Sequence, residues 1–314
     1  MHNYCTLFDS KYLTRGLALH ESLIKQSSNF HLFIFAFDNL CFEMLIKLKL
    51  DNVTVISLKE FEDDELLELK DSRNPAEYCW TCTPSTIKYC IDTYKLDSCT
   101  YLDADIYFFG DPSILIKEME EKSILITEHR YTPKYDQAST SGIYCVQFMT
   151  FKNNAEGIEA LNWWRSACNE WCFSRCEDGK FGDQKYLDDW TVRFQGVHVL
   201  QHLGGGVAPW NVQQYDLLDK NFNLIFYHFH NFKLLNNSKL DMGSYELDHN
   251  DIMVLYKPYS RHLNEITERL KIIDPDSDYN GIVHFKELNW KNIIKRLLRM
   301  VRGNYNIVHS RDFL

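Results

Sequence analysis

The chain has 314 residues, 45% of them hydrophobic and 14% aromatic, with a formal charge of −10. Such a length and apolar content support one large core or two modest ones and exclude a disordered chain. The negative charge argues against general nucleic-acid binding, which depends on cations neutralising phosphates.

The first predicted strand, residues 4–8, has no basic stretch before it, so no secretory signal is expected. The ten cysteines are then expected as free thiols in a reducing cytoplasm. Asp9-Ser10-Lys11-Tyr12 follows, and residues 14–26 read as a crossover helix with Leu17, Leu19, Leu23 and Ile24 on its apolar face. Further strands are predicted at 31–37, 53–56, 100–102, 123–127, 143–151, 197–200 and 224–229. An acidic helix over 60–71, a helix over 155–172 and a short one over 183–190 lie between them. Short apolar runs alternating with longer amphipathic stretches predict an α/β fold with a mostly parallel central sheet.

Residues 236–251 are turn-rich and residues 274–280 read as a linker. The expected division is a catalytic domain over 1–280 and a basic amphipathic helical extension over 281–314. In that extension Trp290, Ile293, Ile294, Leu297, Leu298 and Val301 fall on one helical stripe, and Lys291, Lys295, Arg299 and Arg302 on another face. The pattern suits a helix packed on the domain or one lying on an anionic membrane surface. No apolar run approaches the roughly 20 residues that span a bilayer. A cytoplasmic protein, peripheral on the inner face of the cell membrane, is the expectation.

Chemistry concentrates in Leu102-Asp103-Ala104-Asp105, after one strand and before the apolar run Ile106-Tyr107-Phe108-Phe109. Two carboxylates one residue apart at a strand end must meet water or a cation. Hard divalent ions such as Mn²⁺ or Mg²⁺ suit them and are commonly completed by substrate phosphates. His228 and His230, in Tyr227-His228-Phe229-His230-Asn231-Phe232-Lys233, share a face if the strand continues, and one of them would complete the metal site. Lys233 could then balance phosphate charge.

Other segments admit two readings each. Asp9 is either a nucleoside acceptor or a turn cap, with Tyr12 able to stack on a base. Gly182-Asp183-Gln184 either caps a helix or faces a sugar. The loop Gly204-Gly205-Gly206 with Trp210 and Asn211 is either a sugar-pocket wall or a tight turn. Cys79-Trp80-Thr81-Cys82 and Cys168, Cys172 and Cys176 read as small buried hydrophobes rather than a zinc or redox site.

Taken in chain order, the Asp9-x-x-Tyr12 loop, Tyr101-Leu102-Asp103-Ala104-Asp105, Ser141-Gly142-Ile143-Tyr144, Gly182-Asp183-Gln184 and the late histidine strand resemble the GT-A glycosyltransferases, and among them the retaining family-8-like enzymes. The resemblance implies a nucleotide-sugar donor, a glycan or lipid-linked acceptor, and an α/β/α sandwich. It implies that Thr6, Asp9, Tyr12, Asp103, Ala104 and Lys233 hold the nucleotide, and that Asp103, Asp105 and one histidine hold Mn²⁺ or Mg²⁺. Asp183 and Gln184 would be catalytic, and Ser141, Gly142, Gly206, Trp210 and Asn211 would line the sugar and acceptor side. Surface polysaccharide or lipopolysaccharide synthesis would be the setting. The chain departs from the pattern in lacking the usual arginine near Glu77–Pro84, where Trp80 stands, and the usual glycine after the late histidine.

Two rivals share parts of this pattern. A sugar-nucleotide pyrophosphorylase would carry a glycine-rich basic loop after the first strand, where Asp9-Ser10-Lys11-Tyr12 stands. A non-catalytic glycan-binding relative would be expected to lose the acids or Gln184, and both are present.

Overall fold

The computed structural model describes residues 1–284 and 290–313, apart from the side chains of residues 290–293, 295 and 296. Its main sheet contains β1 (His2–Phe8), β2 (Phe30–Ala36), β3 (Val53–Ser57), β4 (Ser98–Leu102), β6 (Ile124–Glu128), β7 (Tyr144–Lys152) and β8 (Val197–Val199). A separate pair is made by β5 (Ile106–Phe108) and β9 (Phe226–His228). The main sheet runs in the order β3-β2-β1-β4-β7-β6-β8. Pairing is parallel except at β7, which is antiparallel to both β4 and β6.

All eight predicted strands are present, seven of them in the main sheet, whose central members β1, β4 and β7 are buried apolar runs, and the eighth as β9 of the separate pair. Alternation along β1 shows this. Tyr4 and Phe8 enter one core layer, while Cys5 and Leu7 enter the other. The first layer is covered by α1 (Leu13–Gln26), α2 (Asn39–Leu48) and a late helix over Lys257–Ile273. The second is covered by α3 (Pro75–Tyr94) and α4 (Ala155–Glu170). Gly16 lets α1 cross the sheet closely, since a Cβ there would stand 2.3 Å from the ring of Phe8.

The order places a topological switch at β1 and β4. From β1 the chain winds outward through β2 and β3, then returns to β4 on the other side of β1. Open sheets of this kind bind ligands in the crevice beyond the carboxyl ends of the two strands at that switch. Asp9–Tyr12 follows β1 and Asp103–Asp105 follows β4, so both segments sit at its mouth.

Several expectations need correction. The apolar run after Asp105 is a strand, β5, which pairs antiparallel with β9. Residues 183–190 do not form one helix: a 3₁₀ turn over Lys185–Asp189 leads into a single α turn over Trp190–Arg193. Residues 274–280 are no loose linker, because the Tyr279 carbonyl accepts from Thr14 and the Asn280 carbonyl from Arg15 on α1. The turn-rich piece contains β11 (Lys239–Asp241), flanked by β10 (Lys233–Leu235) and β12 (Ile307–His309).

The last helix spans Trp290–Val301. Ile294, Leu297, Leu298 and Val301 are exposed on it. The expected contributions of Trp290, Lys291, Ile293 and Lys295 lie outside the described side chains. Arg299 does not stand in solvent with the basic face; it makes a two-pronged ion pair with Asp241 at 2.8 and 3.0 Å. Among the described residues no helix is long and apolar enough to cross a membrane. The ten cysteines are free thiols, and only Cys176 is exposed.

Candidate functional site

Strand pairing assembles the site. The Asp103 amide donates to the Gln147 carbonyl on β7 and its own carbonyl closes a turn to Ile106, so Asp103-Ala104-Asp105 is a tight corner between β4 and β5. Because Ile106 pairs with His228 across β5–β9, the imidazole lands beside that corner. His228 Nε2 stands 3.1 Å from Asp105 Oδ1 and 3.7 Å from Asp103 Oδ2. The donor atoms of Asp103, Asp105 and His228 lie within 4.8 Å of one another.

His230 is set apart. β9 ends at His228, and Asn231 turns the chain with φ +61°, the left-handed conformation that Asn tolerates better than most residues. The His230 ring lies 5.7 Å from that of His228 and its Nε2 is 2.7 Å from the Asn231 amide.

Electrostatics follow from four titratable groups packed together, His228 buried and Asp103, Asp105 and His230 half-buried. Burial raises Asp103 to about 6, and the Asp105 charge adds to this against the pull of His228. Burial also opposes the Asp105 charge, yet His228 holds that carboxyl down to about 2. Burial works against an imidazolium at His228, but Asp105 and Asp103 outweigh it and raise the group well above 6.5. His230, half-buried beside a charged His228, falls to about 4. Near neutral pH a charged His228 therefore stands beside two carboxylates that would otherwise repel.

The donor set fits a hard divalent ion. Two carboxylates and one imidazole converge, and the imidazole is oriented from behind. His228 Nδ1 lies 2.7 Å from Gln147 Oε1, which can only accept, so the proton is on Nδ1 and Nε2 faces the acids. Gln147 is fully buried, and among the described residues its amide nitrogen has no hydrogen-bond partner.

On the β1 side Asp9 Oδ1 accepts from the Tyr12 amide at 3.2 Å, so the cap reading of Asp9 holds. Burial and the neighbouring Asp38 raise its carboxyl above the usual range. Tyr12 is 42% exposed, and burial with the Asp105 charge pushes its phenol up to about 12, which places the ring beside the acid corner. Thr6 is wholly buried in β1, and among the described residues its hydroxyl has no partner. Ala104 is buried at the corner itself.

Asp183 does not cap a helix. It is buried, with Thr83 hydrogen-bonded to it, and burial plus the Asp103 charge push it up to about 8. Gly182 takes φ +52° beneath the Trp80 ring, which carries the chain to Asp183. Gln184 Nε2 donates to the Ser141 carbonyl at 2.7 Å, tying that segment to the loop that holds Gly142 at φ +105°. The glycine loop is a built turn: a Cβ at Gly206 would stand 2.7 Å from Thr127 Cγ2. Asn211 spends its amide on the His129 and Gly206 carbonyls and the Ala208 amide. Trp210 donates to the His129 carbonyl and sets its ring edge to face, 5.5 Å from His228 and 5.3 Å from His230. Trp210 and Asn211 thus brace the site from inside. Lys233 is exposed at the start of β10, near His230.

Arg15 went unread in the sequence. It is 3% exposed on α1, lies 4.5 Å from the centre of the Tyr12 ring, and donates to the Asn280 carbonyl at 2.9 Å and the Phe232 carbonyl at 3.4 Å. It adds positive potential at Asp105 and fixes the floor under Tyr12.

Among solved structures, the galactosyltransferase LgtC in complex with donor and acceptor sugar analogs superposes with a TM-score of 0.51 at 11% identity, covering 84% of this chain and 96% of that one. The glycosyltransferase GlyE of Streptococcus pneumoniae TIGR4 gives 0.51 at 13% identity over 86% of this chain, which spans 64% of GlyE. The bifunctional WbbM gives 0.53 at 11% identity, covering 85% of this chain and 51% of that one. The fold is GT-A. Among curated proteins, YfnD and YfnF of Bacillus subtilis (strain 168), both described as uncharacterized, are 29% and 28% identical over 87% and 88% of this chain and cover 92% and 96% of their own lengths. No family model matches the chain. At this GT-A crevice the Asp-Asp-His cluster occupies the switch point.

Proposed function

We propose that this chain is a metal-dependent glycosyltransferase, moving a hexose or N-acetylhexosamine from a uridine diphosphate sugar to a glycan or lipid-linked glycan. The observation that carries the reading is the convergence of Asp103, Asp105 and His228 at the switch point, with Tyr12, Asp9 and Asp183 close enough to feel the acid charges or one another. The named activities of LgtC, GlyE and WbbM support the same chemistry. Surface polysaccharide or lipopolysaccharide assembly is the setting we favour.

In this reading Asp103, Asp105 and His228 Nε2 hold Mn²⁺ or Mg²⁺. Once bound, such an ion supplies neutralising charge for a departing diphosphate. Tyr12 offers its exposed ring to the base, and Lys233 offers a cation to the phosphates. Asp183, kept protonated near neutral pH in the free site, can donate to a sugar hydroxyl. Gln184 has its nitrogen committed to Ser141, so Oε1 is the atom left to flank the anomeric carbon. A retaining course needs no dedicated base: the acceptor hydroxyl attacks from the leaving-group face, its oxygen bonds the anomeric carbon as the sugar–phosphate bond breaks, and its proton passes to the diphosphate.

Incubation with a panel of uridine diphosphate sugars and Mn²⁺ tests the reading. Release of uridine diphosphate is the expected result. Pyrophosphate-dependent formation of a nucleoside triphosphate would instead mark a pyrophosphorylase, and no turnover with any sugar nucleotide would remove the proposal.

A further inference from the structure

A cavity of about 340 Å³ is lined by Tyr135, Gln137, Asn231, Lys233, Ser244 and Tyr245, and Asn231 follows His230 directly in the chain. That volume lies at the small end of ligand pockets, the range of one or two sugar rings. Tyr135 and Gln137 belong to the segment after β6, which runs parallel to β4 two positions away in the sheet, about 10 Å at the usual strand spacing. The cavity therefore opens on the same edge as Asp103 and Asp105, but on the side away from β1 and Tyr12. Trp210 connects the two places: Tyr135 and Tyr245 pack on one part of its cluster, while its ring meets His228 and His230.

The lining has the chemistry of a carbohydrate subsite. Tyr135 and Tyr245 meet edge to face at 5.0 Å, which gives an aromatic surface for sugar C–H groups. Gln137, Asn231 and Ser244 are exposed amides and a hydroxyl, and Tyr245 hydrogen-bonds Gln137. The lining carboxylate, Asp241, is already consumed by Arg299.

The far wall is held by the C-terminal segment. Arg299 grips Asp241 and the Gly243 carbonyl, Asn304 donates to the Ser244 carbonyl at 2.7 Å, and Asn306 donates to the Tyr245 carbonyl at 2.6 Å. β12 completes the clamp by pairing with β11. Three polar side chains of the tail thus fix the backbone of residues 243–245, and so fix where Ser244 and Tyr245 stand.

We infer that this cavity is the acceptor-saccharide subsite and that Arg299 and Asn306 are positioning residues for its wall. The inference rests on the transferase reading above and deepens it: the tail shapes acceptor selection.

The test is saturation-transfer NMR with a panel of methyl glycosides, in the presence of uridine diphosphate and Mn²⁺. Saccharide signal from the wild type is expected, reduced at least tenfold in Tyr245→Ala and in the exposed Gln137→Ala, which leaves the core untouched. Arg299→Lys and Asn306→Ala should weaken saccharide binding while the thermal shift produced by uridine diphosphate and Mn²⁺ stays at the wild-type value. Undiminished saccharide signal in Gln137→Ala and Tyr245→Ala would overturn the inference, as would no signal from the wild type with nucleotide bound. Failure of uridine diphosphate and Mn²⁺ to bind the wild type would sink the transferase reading itself.

Discussion

Gln147 Oε1 accepts the Nδ1 proton of His228 at 2.7 Å, and this bond decides which imidazole nitrogen faces Asp103 and Asp105. The two residues are 81 positions apart, on β7 and β9, and the sheet brings them together. A ring so anchored presents Nε2 without paying to reorient when a metal arrives. Gln147→Leu keeps the volume and removes the acceptor, so Mn²⁺ affinity should fall about 10- to 100-fold, the usual effect of losing such a partner. Titration calorimetry with uridine diphosphate present measures it; wild-type affinity would refute the anchoring role.

Asp103→Asn and Asp105→Asn each remove a hard anionic donor while conserving shape. Each should abolish the Mn²⁺-dependent part of the thermal shift seen with uridine diphosphate, since only ligands that bind the native state raise its melting point. Relief of carboxylate repulsion should leave the Asp103→Asn apo protein at least as stable as the parent, whereas Asp105→Asn loses its pairing with His228 and should be less stable. A full Mn²⁺-dependent shift in both variants would contradict the donor set.

Metal binding should expel a proton. His228, raised well above 6.5 by the acids, is charged in the free site, and a ligating imidazole must be neutral. Affinity for Mn²⁺ should therefore climb between about pH 5 and 8. Calorimetry in buffers of different ionisation enthalpy should show about one proton released per ion near pH 7. In the free protein the sign is the reverse: the raised imidazole contributes stability that is full below its unfolded value of 6.5 and is lost as pH passes its folded value.

Asp183 gives a separate signature. Its carboxyl sits near 8 in the folded chain against an ordinary 3.8, so the native state holds a proton that the unfolded state has shed. Stability of the metal-free protein should fall as pH rises from about 4 to 8 and level off above that. Asp183→Asn should flatten the slope without lowering stability at pH 8. A slope equal to the parent's, in urea unfolding at several pH values, would place the proton elsewhere.

The sequence made some of this plain for physical reasons. Asp103 and Asp105 are neighbours in the chain, so their pairing needed no tertiary knowledge, and apolar runs long enough for a central strand announced themselves. β5 has three residues, and the apolar run over residues 106–109 that holds it directly follows the acid pair, so only its pairing with β9 shows it to be a strand. The choice between His228 and His230 was open because strand alternation puts both on one face; in the structure it is His228 whose donor atom converges with those of Asp103 and Asp105, since β9 stops there and Asn231 turns left-handed. The Asp241–Arg299 clamp joins an acid in a turn-rich piece to a cation that looked like part of a solvent-facing stripe, and only long-range packing reveals it.

Arg15 shows the same limit and yields the last prediction. Its partners are backbone carbonyls of Asn280 and Phe232, 265 and 217 residues away, so nothing near it in sequence marks it as more than a helix cation. Buried at 3% exposure, it joins α1 to the end of the β9 turn and to the segment after the Lys257–Ile273 helix. Arg15→Met retains the stem but leaves those carbonyls without their donor, at a cost of about 1–3 kcal/mol for a buried group left unsatisfied. Removing the cation also takes the support from under the Tyr12 ring, worth about 0.5–2 kcal/mol more in a desolvated setting. The variant should therefore unfold at lower urea and bind uridine diphosphate more weakly, even in a Mn²⁺-saturated solution. If Arg15→Met melts early yet binds the nucleotide as the parent does, the residue is a strut of the fold and Tyr12 stands without it.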